Sequence, residues 1–90
     1  PNSVEEELWA AAIQVFPNPT SDATRVWLPD NGFNTELSLE LSDVLGKKYW
    51  IGNSTSNAIE IDLSQYPSGM YLLTISNGEF VSTKRILLNK

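Results

Sequence analysis

Residues 36–42, with the sequence Glu-Leu-Ser-Leu-Glu-Leu-Ser, alternate polar and apolar side chains without interruption. In an extended chain the leucines share one face, and the serine and glutamate side chains share the other. Residues 57–63, Asn-Ala-Ile-Glu-Ile-Asp-Leu, repeat the pattern. Such alternation predicts β-strands with one face on a core and the other in water.

Weaker alternation predicts five further strands, at residues 13–16, 23–28, 47–51, 70–76 and 80–88. Turn-forming segments rich in Pro, Gly, Asn and Asp separate the strands, and no helix-length apolar stripe lies between them. This spacing favours an all-β fold, namely a seven-stranded antiparallel β-sandwich of the immunoglobulin-like, Greek-key kind.

Residues 1–12 differ from the rest and are interpreted as the end of a linker. Three glutamates precede Leu8, Trp9 and three alanines, a composition that favours one or two helical turns anchored by Leu8 and Trp9. The sandwich domain is predicted over residues 13–90. Because Pro1 is not an initiator Met and no signal-peptide pattern follows it, we expect a piece of a longer chain or a processed product.

Composition argues against several classes of function. The 90 residues include no Cys and no His, which removes disulfides, thiol nucleophiles and histidine bases. A net charge of −5 repels nucleic acid, and no apolar run reaches the length of a membrane span. We therefore predict a protein that is not an enzyme, has no cofactor and neither binds nucleic acid nor spans a membrane.

The acidic side chains give little reason to expect acid-base catalysis or a metal site. Glu60 and Asp62 share the outward face of a predicted strand, where charged side chains ordinarily solvate a sheet. Asp30 and Asn31 offer oxygen ligands for calcium, but the spaced acidic ligands of a calcium-binding loop are missing. No metal site is predicted.

Two tryptophans leave another function open. Trp27 and Trp50 each fall opposite the apolar face of their predicted strand. Exposed aromatic rings can form a binding platform, so the chain could be a carbohydrate-binding accessory module of a secreted enzyme. Packing at the core or edge of the sandwich is the more ordinary role for such rings, and a purely structural spacer is a third alternative.

Four short motifs follow one another along residues 13–90. They are Val15–Thr20 (VFPNPT), Leu41–Lys47 (LSDVLGK), Ile61–Leu72 (IDLSQYPSGMYL) and Ser82–Lys90 (STKRILLNK). The prolines of the first motif fix φ and restrict the residues before them. Glycines in the second and third motifs permit backbone geometry that a Cβ would hinder.

In this order, the motifs resemble the C-terminal sorting domain of type IX secretion (Por secretion system) cargo, type A. The segment before Ile13 lies outside the resemblance. The resemblance implies that the folded domain directs an N-terminal cargo domain of the same chain across the outer membrane. The implied partners are the translocon, shuttle and sortase proteins of the type IX system.

The same resemblance implies a location and a fate for the protein. It is exported, passes through the periplasm, and is then found at the cell surface or secreted. A surface sortase typically removes the domain and attaches the cargo to anionic lipopolysaccharide. We expect such cleavage in or before residues 1–12, a stretch expected to present extended backbone to a protease.

Charge is distributed unevenly along the chain. From Phe80 onward there are three basic residues and no acidic one, whereas residues 1–40 hold seven acids and one base. Such asymmetry can steer an acidic partner, although edge protection of a sheet is an alternative role. We predict recognition by three cations, with a glycine and a tyrosine shaping the surface: Lys84, Arg85, Lys90, Gly69 and Tyr71. Framework roles are predicted for Pro17, Asn18, Pro19, Asp43 and Gly46.

Overall fold

The computed structural model describes residues 3–28 and 36–90, which form one helix and seven strands. The elements are α1 (Ser3–Ala12), β1 (Gln14–Phe16), β2 (Ala23–Trp27), β3 (Leu37–Asp43), β4 (Lys48–Ser54), β5 (Ala58–Asp62), β6 (Gly69–Ser76) and β7 (Val81–Leu88). Thr20 adds a single-residue parallel bridge to Leu88, so this part of the chain has eight extended elements rather than the seven predicted. The calcium ligands considered at Asp30 and Asn31 lie outside the described residues.

The strands form two sheets, in the order β1-β2-β5 and β4-β3-β6-β7, and all neighbouring strands are antiparallel. The chain passes between the sheets three times, from β2 to β3, from β4 to β5 and from β5 to β6. This arrangement is a variant of the immunoglobulin-like sandwich with Greek-key connections. The predicted fold class is confirmed.

The core lies between the sheets and is built from inward side chains of the alternating strands. In β3, Leu37, Leu39 and Leu41 are buried while Ser38 is exposed, as the alternation predicts. The remaining buried members of the core are Ile13, Val26, Leu28, Ile61, Leu63, Tyr71, Leu73, Ile75, Ile86 and Leu88. Because each buried aliphatic side chain contributes about 1.5–3 kcal/mol, a slip of one residue in any strand would be strongly unfavourable.

Strand β4 departs from the predicted alternation. Trp50 lies opposite Leu41 whereas Lys48 lies opposite Ser42, so Tyr49 has no residue opposite it and forms a bulge. Directly opposite residues share a face, which puts Trp50 on the core side of the sheet with Leu41. The prediction that Trp50 points away from that face is therefore wrong, because the bulge shifts the alternation by one residue.

Helix α1 packs against the sandwich through Trp9, whose ring centroid lies 5.9 Å from that of Phe80. Leu8, the other predicted anchor, is 67% exposed, so that part of the prediction is wrong. The backbone of residues 3–12 is helical, as the composition favoured, so it is the expectation of extended chain there that is wrong. With ten residues, this single helix in the described part of the chain is too short to cross a membrane.

Candidate functional site

The four sequence motifs meet at one end of the four-stranded sheet. Tyr71, from the third motif, lies opposite Asp43 of the second motif on one side and Ile86 of the fourth on the other. Asn18, from the first motif, hydrogen-bonds to the backbone of β7. The motifs therefore mark one structural unit, assembled from segments that are far apart along the chain.

Asn18 clamps the outer edge of β7. Its Nδ2 donates a hydrogen bond to the carbonyl oxygen of Arg85 at 2.7 Å, and its Oδ1 accepts one from the N–H of Leu87 at 3.0 Å. The carboxamide thus pairs with the strand as a peptide group of a neighbouring strand would. Pro17 and Pro19, joined to their preceding residues by cis peptide bonds, have no N–H for such pairing, so the side chain between them supplies it.

The segment after the clamp continues to cover the same edge. The N–H of Thr20 donates to the carbonyl of Leu87 at 2.9 Å, and the N–H of Asn89 donates to the carbonyl of Thr20 at 2.8 Å. Buried Thr24 donates from Oγ1 to the carbonyl of Pro17 at 2.8 Å and fixes the start of the segment. These bonds hold β7 on its second edge while β6 holds it on the first.

Replacing Asn18 by Ala is expected to lower the free energy of unfolding by about 1–3 kcal/mol, because two backbone groups of β7 lose their partners. The hydrogen-exchange rate should rise most at the amide of Leu87, which loses its acceptor. Asn53→Ala is the matched control, since Asn53 is exposed on β4 and its side chain makes no hydrogen bond to the described residues. Equal stability of the two variants would show that the clamp does not stabilise β7.

Tyr71 is a buried framework residue at the start of β6. It is 2% exposed, and its hydroxyl donates a hydrogen bond to the carbonyl oxygen of Pro67 at 2.5 Å. This is the tyrosine corner of immunoglobulin-like sandwiches, in which a tyrosine ties a strand to the turn before it. Burial and the nearby Asp43 carboxylate raise the pKa of Tyr71, which keeps the hydroxyl protonated as a donor. Gly69 lies two residues earlier, opposite Leu88 of β7.

Asp43 organises the turn between β3 and β4. Its Oδ1 accepts hydrogen bonds from the N–H groups of Leu45 and Lys47, at 2.9 and 3.0 Å, and its Oδ2 accepts one from the Tyr49 hydroxyl at 3.1 Å. Burial raises the pKa of the Asp43 carboxyl, but these hydrogen bonds outweigh burial and hold the pKa below its ordinary value. Gly46 closes the turn with a φ of 91°, a conformation that side chains with a Cβ disfavour.

The three predicted recognition cations are presented in three different ways. Lys84 lies on the inward face of β7, in line with buried Ile86, and its Nζ donates to the carbonyl of Ala10 in α1 at 2.8 Å. Lys90 is exposed, but its Nζ donates to the carbonyl of Ser64 at 2.6 Å. Arg85 is exposed on the outward face, and within the described residues no carboxylate forms an ion pair with it. Arg85 is therefore the best-presented cation of the three.

Apolar side chains surround Arg85 on the outer face of the sheet, a feature that the sequence analysis did not identify. Leu72 lies directly opposite Arg85, and Met70 lies opposite Leu87. Leu87 is exposed, while Leu72 and Met70 are half-buried. Together, Met70, Leu72, Arg85 and Leu87 are called the Arg85 patch. The signal in the sequence was the presence of Leu and Met at outward positions of β6 and β7.

The two tryptophans do not form a common platform. Trp27 is 41% exposed on the outer face of the three-stranded sheet, opposite Gln14 and Ala58. Trp50 is 36% exposed at the edge of the other sheet, on the core side, where its ring covers Gly52. A groove of about 270 Å³ beside Trp50 is lined by Leu41, Glu60, Ile61, Asp62, Gln65 and Tyr66. Because the rings lie on different faces, they cannot stack on one sugar chain together.

The carboxylates considered for catalysis are solvated or locally paired. Glu60 forms an exposed ion pair with Arg25 at 3.6 Å. Asp62 accepts a hydrogen bond from the N–H of Ser64, and hydrogen bonding by Ser64 lowers the pKa of Asp62. Over residues 3–28 and 36–90, no group of three acidic, Cys or His side chains could hold a metal ion.

Comparison with known proteins connects this fold to protein export. The family model described as "secretion system C-terminal sorting domain" matches residues 14–89. No curated protein matches the chain. Among solved structures, the chain is similar to PorZ of Porphyromonas gingivalis, an essential surface component of the type IX secretion system of that bacterium. The TM-score is 0.74 and the identity 15%, over 91% of this chain and 12% of PorZ.

The chain is also similar to domains d3–d4 of the rat CD45 extracellular region. That likeness has a TM-score of 0.58 and 19% identity, over 83% of this chain and 46% of the other. The chain thus spans only a small part of PorZ and about half of the CD45 fragment. At these identities the two structures establish the immunoglobulin-like fold, whereas the family match establishes the function.

The fold and the family match together define an export signal built as an immunoglobulin-like sandwich. The chain belongs to the secretion system C-terminal sorting domain family. It therefore carries a type IX secretion signal, which directs export across the outer membrane to the cell surface or the medium. The alternative of a carbohydrate-binding module is not favoured.

Proposed function

We propose that the type IX machinery recognises this domain in its folded state, through the Arg85 patch and through Lys90. The observation that carries the proposal is the presentation of Arg85. Its side chain is exposed and unpaired among the described residues, on a strand whose two edges are held by β6 and by Asn18. The backbone beneath this cation is already ordered, so binding would cost little additional backbone freedom.

The charge distribution supports an acidic partner. The chain has a net charge of −5, yet residues 80–90 carry three bases and no acid. A basic end on an acidic body orients the domain in the field of an acidic surface and speeds productive encounter. The apolar members of the Arg85 patch would then exclude water from the contact.

The remaining predicted residues support this surface from beneath. Tyr71 ties the start of β6 to the preceding turn, and Gly69 lies opposite the end of β7. Asp43 and Gly46 hold the turn on the far side of β3. In this proposal they shape the surface and do not contact the partner, and the domain catalyses no reaction.

The family's mode of action suggests the partners. The outer-membrane translocon, a shuttle protein and a surface sortase would engage the domain, with an N-terminal cargo domain of the same chain as the passenger. Proteases bind extended backbone, so cleavage would fall outside the folded helix α1, on its N-terminal side. After cleavage, the cargo would be found at the cell surface without the sandwich domain.

Arg85→Gln is expected to reduce export of a reporter fused to residues 1–90 by about tenfold, because a charge-assisted contact is worth about 1.5 kcal/mol. Lys48→Gln is the matched control: it removes the same charge from β4, where Lys48 is exposed and pairs with Glu40 at 2.9 Å. Thermal unfolding of both variants should match that of the parent. Equal amounts of exported reporter for Arg85→Gln and Lys48→Gln would contradict the proposed role of Arg85 in recognition.

A further inference from the structure

Helix α1 lies on the part of β7 that the Asn18 clamp leaves open. Its C-terminal carbonyl at Ala10 accepts the hydrogen bond from Lys84, and the carboxylate of Glu6 accepts one from the N–H of Val81 at 3.3 Å. Trp9 contacts Phe80 beside them. Residues 6, 9 and 10 lie on one face of a helix, so α1 docks with a single side.

Helix α1 supplies the hydrogen-bond partner of the Lys84 ammonium group. Lys84 alternates with fully buried Ile86, and the polar group that it reaches in the folded chain is the helix end. The C-terminus of a helix carries partial negative charge, which favours the ammonium group there. Without α1, Lys84 would lose that partner and be open to solvent on the inward face of β7.

Among residues 3–28 and 36–90, the contacts of α1 with the sandwich involve Glu6, Trp9 and Ala10. The helix has only ten residues, and its large apolar side chain Leu8 is exposed. The indole Nε1 of Trp9 is buried with no hydrogen-bond partner among the described residues, which opposes docking. Short helices are marginal unless something packs on them, so undocking and unwinding should occur together.

We infer that α1 is a displaceable cover over Lys84 and the Val81 end of β7, and that an acidic partner takes its place. The inference rests on the proposed function for the identity of the partner. A carboxylate and a carbonyl of α1 already occupy this surface, and the carboxylates of an acidic chain would satisfy the same two donors. Displacement would free Lys84 on the inward face of β7 and give the partner a cation in addition to Arg85, which lies on the outward face.

The accessibility of Lys84 tests the cover directly. Residues 1–90 are treated with a small amine-acylating reagent, and the rate at each lysine is read by mass spectrometry. If α1 is docked about nine-tenths of the time, Lys84 should react about tenfold more slowly than exposed Lys48. A rate at Lys84 equal to that at Lys48 in the unmodified chain would overturn the inference.

Two variants separate undocking from a general loss of structure. Trp9→Ala removes the anchor and its contact with Phe80, whereas Ala11→Pro breaks the helix at an exposed position and leaves the side chains of the sandwich unchanged. Both should bring the rate at Lys84 to within about twofold of Lys48, as expected when the open form dominates. Trp27→Ala, which removes an exposed indole elsewhere, should change neither rate. A slow Lys84 in the Ala11→Pro chain, with its helical signal lost, would also overturn the inference.

Export measured on the same variants keeps this inference apart from the proposed function. With the cover displaced, Ala11→Pro should be exported at least as well as the parent. If Lys84 is acylated slowly but Arg85→Gln does not reduce export, the result supports the inference about α1 and contradicts recognition through Arg85. If Lys84 is acylated as fast as Lys48 in the unmodified chain, the inference about α1 is contradicted, whatever the export result.

Discussion

Removal of residues 84–90 is expected to unfold the domain. Ile86 and Leu88 are 0% and 1% exposed, and deleting a buried aliphatic side chain removes about 2–5 kcal/mol. The deletion also removes five of the eight paired positions of the β6–β7 ladder and the backbone groups that Asn18 and Thr20 bind. Together these losses equal or exceed the ~5–13 kcal/mol that a 90-residue domain has in total.

Circular dichroism and thermal unfolding of residues 1–83 provide the measurement. We expect the loss of a cooperative transition, and a retained transition would contradict the structural role given to β7. The result bears on export experiments: a truncated domain that is not exported has lost its fold, so the loss does not identify a recognition residue. Charge substitutions such as Arg85→Gln, which leave the core intact, are the informative changes.

Tyr71→Ala is expected to lower the free energy of unfolding by about 3–5 kcal/mol, the usual loss for a buried aromatic ring. Tyr71→Phe keeps the ring but removes the hydrogen bond to Pro67, with an expected loss of about 1 kcal/mol. The ring itself contacts Tyr49 and Tyr66, at centroid distances of 5.5 and 6.1 Å. The difference between the variants therefore separates ring packing from the tyrosine corner.

Tyr66→Phe is the control for the hydroxyl. Tyr66 belongs to the same ring cluster, but its hydroxyl forms no hydrogen bond to any residue in the described ranges. In denaturant unfolding, the free energy of unfolding of this variant should differ from that of the parent by less than about 0.5 kcal/mol, as for most surface substitutions. Equal effects of Tyr66→Phe and Tyr71→Phe would mean that the Pro67 contact does not stabilise the domain.

The fold was predictable because its strands are locally regular. The uninterrupted alternation of residues 36–42 placed Leu37, Leu39 and Leu41 in the core as predicted. Such patterns depend only on neighbours in sequence, and they were sufficient for the sandwich class. The family resemblance came from four motifs whose order, rather than any single residue, was specific.

The errors arose where a contact between distant segments decides the geometry. The bulge at Tyr49 reverses the face of Trp50 and follows from the pairing of β4 with β3, which alternation within β4 does not reveal. Trp9 rather than Leu8 anchors α1 because the contact surface lies at Phe80, more than seventy residues later. The Asn18 clamp reaches backbone groups 67 and 69 residues away.

The predicted recognition cations were chosen by charge, and the faces on which Lys84 and Arg85 lie followed from strand alternation. With Ile86 and Leu88 inward, Lys84 must also face inward and Arg85 outward, which the pattern of β7 already contained. The hydrogen bond from Lys84 to Ala10 depends on how α1 docks and could be seen only in the structure. The apolar surroundings of Arg85 likewise depend on the register of β6 against β7.

One fusion protein expressed in two strains tests whether this sandwich acts as a type IX secretion signal. Residues 1–90 are joined to the C-terminus of a periplasmic reporter and expressed in a bacterium with an active type IX system and in a sister strain without one. We predict reporter activity at the surface and in the medium of the first strain, and retention in the periplasm of the second. Periplasmic retention in both strains, with the fused domain folded, would contradict the assignment.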